Sequence, residues 1–183
     1  IPCGEKDNIL LATRLGKAIR FDVHDVRVFV GRGSSGVRGI RLKPNDFVVS
    51  MSLIPNLEKR FILSVTENGF GKRTPVEDYR MTNRGGQGVA NIECSTRNGP
   101  VVASYVASEE DQIMLVTNSG KLIRIRVHGG EGDSIRVASR KTQGVRLFDV
   151  DEGEKVVSVA LLNETDDDQE AEEDSQETNI ENK

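Results

Sequence analysis

The chain says nearly the same thing three times. Its first copy runs Asn8-Ile-Leu-Leu-Ala-Thr-Arg-Leu-Gly-Lys-Ala-Ile-Arg-Phe21, and its second Arg60-Phe-Ile-Leu-Ser-Val-Thr-Glu-Asn-Gly-Phe-Gly-Lys-Arg-Thr74. The third runs Gln112-Ile-Met-Leu-Val-Thr-Asn-Ser-Gly-Lys-Leu-Ile-Arg-Ile-Arg126. Each is an apolar run closed by Thr, a short Gly turn and a second strand-like run, which is the signature of a β-hairpin. A Gly-rich loop leading into a third strand follows each hairpin, with Gly-Val pairs beginning at Gly36, Gly88 and Gly144. A fourth strand carries Val-Val pairs beginning at Val48, Val101 and Val156. The glycine spacings are 52 and 56 residues and the valine spacings 53 and 55, so the period is a property of the chain and not of its composition.

Four strands in a unit of this length predict a blade of a propeller-like fold, in which units stack to bury their apolar faces. The strands are rich in Val, Ile and Leu, and Ile123-Arg-Ile-Arg126 alternates so that apolar and basic side chains take opposite faces. Helix signals are weak. The expected organisation is an all-β body over 1–163, with blades at about 7–56, 57–109 and 110–162, and an acidic disordered tail over 164–183.

Charge divides the same way. The net charge of −4 conceals ten acidic residues and one Lys between Glu164 and Lys183, against 24 basic and 19 acidic residues before them. The body is therefore +5 and the tail −9. A basic body suits a polyanion, and a tethered acidic segment suits a competitor for the same surface. No stretch of ~18 apolar residues marks a membrane span. No basic segment followed by an apolar one marks a secretory signal. The chain starts at Ile1, as a fragment or processed product does, and Cys3 and Cys94 have no metal-ligand spacing. The reading is a reducing, cytoplasmic setting.

Arg32, Arg38, Arg41, Arg84, Arg140, Lys141 and Arg146 sit in or just after the Gly-rich loops. Loop glycines expose backbone N–H groups, and guanidinium forks beside them match phosphate oxygens. Glycines that serve only blade geometry, with arginines that serve only solubility, explain the same residues about as well. A second basic set, Lys17, Lys72, Arg73 and Lys121, lies at the hairpins, where charge that keeps turn tips soluble is at least as good a reading. Gly71-Lys-Arg-Thr74 lacks the upstream glycine of a nucleotide loop and lies in a hairpin instead of at a helix start. His24 and His128 are isolated, and Asp149–Glu154 reads as a turn between strands. Tyr79 and Tyr105 read as blade-buried residues, so no catalytic centre or metal site is expected.

Thr66–Thr74, Gly36–Leu42, Asp111–Thr117 and Thr142–Val145 resemble the C-terminal domain of the DNA gyrase A subunit over about residues 7–162. The related topoisomerase IV domain shares the blades and fits less well. The resemblance implies a β-pinwheel of usually six blades that exchange strands, of which these look like the last three. It also implies nearly sequence-independent binding and wrapping of double-stranded DNA in support of ATP-dependent negative supercoiling. It further implies partners in the gyrase B subunit and the rest of the gyrase A chain, forming an A2B2 assembly associated with the bacterial nucleoid. ATP and Mg2+ belong to that assembly, and no cofactor is expected for this chain. One departure stands out. The family's wrapping motif, of the Gln-Arg-Arg-Gly-Gly-Lys-Gly type, has its nearest counterpart in Asn83-Arg-Gly-Gly-Gln-Gly88, which lacks one Arg and the Lys. Binding without full wrapping is therefore expected. The rival from another class is a propeller that binds protein, with scattered surface charge.

Overall fold

A computed structural model describes residues 1–55, 60–129 and 134–162. Eleven strands account for nearly all the regular structure. They are β1 (Asn8–Thr13), β2 (Lys17–Asp22), β3 (Val48–Ile54), β4 (Phe61–Thr66), β5 (Phe70–Pro75) and β6 (Val89–Ala90). After these come β7 (Val101–Ala107), β8 (Gln112–Thr117), β9 (Leu122–Arg126), β10 (Val145–Arg146) and β11 (Val156–Leu162). The only helical pieces among the described residues are single 3₁₀ turns at Val23–Asp25 and Val76–Asp78.

Three antiparallel sheets form, in the orders β3-β1-β2-β6, β10-β5-β4-β7 and β11-β8-β9. Hairpins β1–β2, β4–β5 and β8–β9 are the three repeated segments, each turning through a glycine with positive φ (Gly16, Gly69, Gly120). The Val-Val strand pairs with the first hairpin strand of its own repeat. In all three the register slips by one residue, so that Val49, Val102 or Val157 is extra. Such a bulge bends the strand and increases its twist.

The Gly-Val strand does something different. β6 belongs to the second repeat yet pairs with β2 of the first, and β10 of the third repeat pairs with β5 of the second. Each sheet is thus completed by the repeat that follows it, the strand exchange expected of a β-pinwheel. The third sheet has three strands instead of four among the described residues, because no further Gly-Val strand reaches β9.

Packing follows from the sequence pattern. β4 is buried on both faces, as its largely apolar run predicts, and it lies in the middle sheet. β8 alternates between buried and half-buried residues, and β9 between exposed and half-buried ones. One core, including Leu10, Ile54, Ile62 and Tyr79, joins the first two sheets. A second, including Leu63, Val65, Ile113, Leu115 and Val159, joins the second and third. Each such buried aliphatic side chain contributes about 1.5–3 kcal/mol relative to exposure. β3 and β11 each lie against β7: Ser50 Oγ donates to Ser104 O (2.8 Å) and Tyr105 Oη to Val159 O (2.7 Å). The sheets therefore fan out from these inner strands, with β2–β6 and β5–β10 at the outer rim.

Candidate nucleic-acid interface

The outer rim is where one repeat grips the next. The second hairpin strand takes two segments from its successor. Arg20 forms a parallel bridge with Met81 and Arg73 with Val137, while β6 and β10 pair further along the same edges. The basic residues of the Gly-rich loops and hairpins do not share one environment.

Arg32, Arg38, Arg41 and Lys141 are exposed, and none has a carboxylate partner among the described residues. Lys17 is half-buried beside the first hairpin turn. Arg84 spends its guanidinium on the carbonyls of Asp25 (2.8 Å) and Arg38. Arg140 donates to Ala90 O (2.9 Å) and lies over the Tyr79 ring, so it too fastens one repeat to another. Arg146 is exposed but paired with Asp149, and it shares the Phe70 ring with Arg97. Lys121 is held by Asp151 (2.5 Å) and Glu154 (2.9 Å).

Two residues correct the reading of the hairpin set as turn-tip charge. Lys72 is 0% exposed, and its ammonium donates to Ser139 O (2.5 Å), Arg140 O (2.9 Å) and Thr142 Oγ1 (3.2 Å). Burial lowers its pKa to about 8; the nearby Arg140 adds to the fall and Asp78 opposes it. Arg73 is also buried, donating to Ile135 O (2.6 Å), stacked on Phe61 and 3.6 Å from Glu109. The physical reason is register. Ser64 faces Lys72 as Leu11 faces Ile19 and Leu115 faces Ile123, so Lys72 occupies a core-facing position and Phe70 is the counterpart of Lys17 and Lys121. The three donors of the Lys72 ammonium are thus engaged within the protein. The described residues also hold no cluster of His, Cys, Asp or Glu fit for a metal.

One basic series escapes a comparison based on glycines. Arg27, Arg80 and Arg136 follow Val26, Tyr79 and Ile135 and precede Val28, Met81 and Val137, and all three are exposed. Their segments are the ones that bridge, or in the first repeat match those that bridge, the preceding hairpin edge. The 53- and 56-residue spacing is visible in the sequence as an apolar-Arg-apolar triplet after each hairpin. Like Arg32, Arg38, Arg41 and Lys141, they are exposed cations with no carboxylate partner among the described residues. His24 and His128 are exposed, Tyr79 is buried with its hydroxyl donating to Asn91 Oδ1 (2.6 Å), and Asp149–Glu154 is a turn. No helix among the described residues is long and apolar enough to cross a membrane.

Glu154 anchors the third hairpin turn. Its buried carboxylate accepts hydrogen bonds from Ser119 Oγ, Thr117 Oγ1 (2.6 Å), the Asp151 N–H (2.9 Å) and Lys121. These donors, Ser119 foremost, lower its pKa from 4.5 to about 2. The folded pKa lies below the unfolded one, so this contribution is present above about pH 4.5 and fades as the pH falls toward 2. Melting curves between those limits should fall more steeply for the wild type than for Glu154→Gln; parallel curves would contradict the assignment.

Comparison with known proteins places this geometry. A family profile described as the DNA gyrase C-terminal domain, beta-propeller, matches residues 7–55, 60–99 and 111–163. The DNA gyrase A subunit of Rickettsia bellii (strain RML369-C) is 39% identical over 92% of this chain and 23% of its own length. The one from Staphylococcus epidermidis (strain ATCC 12228 / FDA PCI 1200) is 40% identical over 88% of this chain and 17% of its own. The chain thus spans about a quarter or less of the curated relatives it matches. Among solved structures, the crystal structure of the C-terminal domain of DNA topoisomerase IV superposes with a TM-score of 0.76 and 29% identity. That superposition covers 86% of this chain and 47% of the other.

Proposed function

The chain belongs to the DNA gyrase C-terminal domain family, and from that premise we propose that it binds duplex DNA by its phosphates along the outer rim and bends it there. The observation that carries the proposal is the recurrence of Arg27, Arg80 and Arg136, exposed and without carboxylate partners among the described residues, at one position of each repeat. Repetition on a fan of sheets sets like charges at regular intervals along a curved edge, which is what a duplex backbone can follow. No recognition helix or stacking platform is needed, so binding is nearly independent of base sequence.

Bending has a cost. A 20–30 bp segment bent by 40–90° stores on the order of 1–6 kcal/mol, given a persistence length of ~150 bp. Phosphate contacts and counterion release offset it, with log K falling by about 0.9 per contact for each unit of log salt. In the full-length protein such a bend would present DNA to strand passage and so support ATP-dependent negative supercoiling. Cleavage and ATP hydrolysis would lie in the remaining gyrase A domains and the B subunit. The incomplete wrapping motif at Asn83–Gly88 is consistent with partial wrapping by these repeats.

The test is a gel-shift titration with linear duplex over a range of salt. Reversing Arg27, Arg80 and Arg136 to Glu is expected to weaken binding at least tenfold at low salt and to flatten the salt slope by roughly 2–3 units. Lys121→Ala should change little, because its charge is already met within the protein. A triple variant that binds like the wild type would remove the rim from the mechanism, and salt-insensitive binding would favour the protein-binding propeller. Residues 164–183 lie outside the described residues. The proposal for them is competition with DNA, so their deletion should tighten binding in the same titration.

A further inference from the structure

Five residues after the glycine of each Gly-Val pair the chain presents a side chain to solvent. Counted from Gly36, Gly88 and Gly144, that residue is Arg41, Glu93 or Asp149, and all three are exposed. The residue before it is apolar and turned inward: Ile40 and Ile92 are buried, and Phe148 packs against the core between the second and third sheets. Three positions before it stand Arg38, Ala90 and Arg146. The backbone here is held alike in the first two repeats. The Arg41 N–H donates to Gly86 O (2.8 Å) and the Glu93 N–H to Thr142 O (3.0 Å), and Gly86 and Thr142 each lie two residues before a Gly-Val pair. Geometry repeats while charge does not. The two positions together carry +2 in the first repeat (Arg38, Arg41), −1 in the second (Ala90, Glu93) and 0 in the third (Arg146, Asp149).

The third repeat shows what side chains at these two positions can do. The Arg146 guanidinium is paired with Asp149 Oδ1, so the two groups reach each other across three residues. Arg146 is also steadied by the Phe70 ring, whose centre lies 5.5 Å from its guanidinium carbon. Both side chains are more than half exposed, and an ion pair in that setting adds little to stability. In the first repeat both positions are arginines, and neither has a carboxylate partner among the described residues. Two guanidinium groups that can reach one point, with no internal anion between them, suit a phosphate, which has oxygens for both. The second repeat fastens the segment that carries them: the Gly85 N–H donates to Gly39 O (2.7 Å), and the Arg84 guanidinium donates to Arg38 O. Lys43, two residues further on, is exposed as well, where the later repeats have Ser95 and Asp151.

We infer that these repeats hold a duplex unequally: Arg38 and Arg41 clamp one phosphate where the first repeat meets the second, and in the third repeat Asp149 fills the place of that phosphate. The inference rests on the proposed function and adds a direction to it. Arg27, Arg80 and Arg136 give every repeat one cation, so they favour no repeat over another. The clamp position does, because Glu93 and Asp149 set a carboxylate where Arg41 sets a guanidinium. Each phosphate contact made by a cation is weakened as salt rises, and the repeat with most such contacts releases last. A bound duplex therefore peels from the third repeat first and stays longest at Arg38 and Arg41.

The experiment joins a gel-shift titration of the whole 183-residue chain against linear duplex to phenylglyoxal modification of its arginines, read by mass spectrometry with and without the duplex. In the wild type the duplex should protect Arg38 and Arg41 and leave the reactivity of Arg146 unchanged. Arg41→Asp copies the third repeat's pair into the first. It should weaken binding about tenfold at low salt and flatten the salt slope by roughly 2 units, one for each cation withdrawn. Asp149→Arg copies the first repeat's pair into the third, and should tighten binding and bring Arg146 under protection. The double variant keeps the wild-type net charge and should exchange the pattern, with Arg146 protected and Arg38 reactive. Lys6→Asp, the same charge change at an exposed residue ahead of the first strand, should shift binding by only about twofold. All these side chains are exposed, so circular dichroism should stay as in the wild type. A wild type that does not bind duplex at all removes the proposed function and this inference together. Binding that needs Arg27, Arg80 and Arg136 but loses no more to Arg41→Asp than to Lys6→Asp overturns the clamp alone, and so does equal protection of Arg38 and Arg146 in the wild type.

Discussion

Lys72→Met is expected to loosen the junction between the second and third repeats and to lower the melting temperature of the chain by roughly 5–15 °C. The variant keeps the volume of the lysine stem and removes its ammonium. That ammonium ties β5 to Ser139, Arg140 and Thr142, residues that lie 67 to 70 positions further along the chain. Two effects oppose each other. Removing a buried charge relieves a desolvation cost, which is why burial holds the group near pKa 8. Against that, hydrogen bonds from a charged donor contribute about 1.5–3 kcal/mol each, and an acceptor left dry costs about 1–3 kcal/mol. Thr142 Oγ1 still donates to Ser139 O at 2.9 Å in the variant, so the Arg140 carbonyl is the main orphan. The loss wins, at about 2–4 kcal/mol. The pH response gives an independent check. The folded pKa lies below the ordinary 10.5, so between pH 8 and 10.5 the unfolded chain binds more protons, and wild-type stability rises with pH across that window. The variant lacks this rise. A melting temperature that does not move, or identical pH profiles, would show that the ammonium is a bystander.

How far the fold can be read from the chain depends on distance. Hairpins, turn glycines and the Val-Val bulges are local, and their period survives any comparison of the three repeats. The destination of the Gly-Val strand is a pairing across 71 to 74 residues (Ala18 with Val89, Gly71 with Val145), and no local pattern states which sheet receives it. Strand exchange is legible only through the family resemblance. The basic residues show the same limit. Matching the hairpins by their lysines puts Lys72 with Lys17 and Lys121 and so places it outside. Phe70-Gly71 displaces it by two positions, and it falls in register with Ile19 and Ile123. Arg84, Arg140 and Arg146 do lie in or beside loops, but a loop arginine can serve a neighbouring carbonyl or carboxylate as readily as a phosphate, and sequence does not reveal which. Arg27, Arg80 and Arg136 recur in plain view, yet an alignment of repeats anchored on glycines passes over them.

The steepest stability loss should come from Gly144→Val. This glycine has φ +78°, a region that a β-branched residue enters only under strain of about 1–3 kcal/mol. Its added Cβ would lie 2.6 Å from the Gly71 carbonyl oxygen and 2.9 Å from the carbonyl carbon. These are backbone atoms of a central sheet and cannot swing aside as a side chain could. Gly71 is equally confined: a Cβ there would meet the Ser64 carbonyl at 2.7 Å and the Leu147 side chain at 2.6 Å. The two strands therefore have no slack, and β10 must leave β5 to admit the valine. Leu147, Phe148 and Val150 follow on that strand and pack against the core between the second and third sheets, so the damage reaches beyond one strand pair. The expected cost is about 3 kcal/mol or more, strain and lost packing together. Gly36→Val supplies the control within the same chain. Its φ is +72° but nothing lies within 4 Å, so a valine there bears the strain alone. Denaturant titrations of the two variants should therefore differ, with Gly144→Val unfolding at clearly lower denaturant. Equal midpoints would mean that backbone strain, and not the close approach of one repeat to the next, is why glycine stands at this point of each repeat.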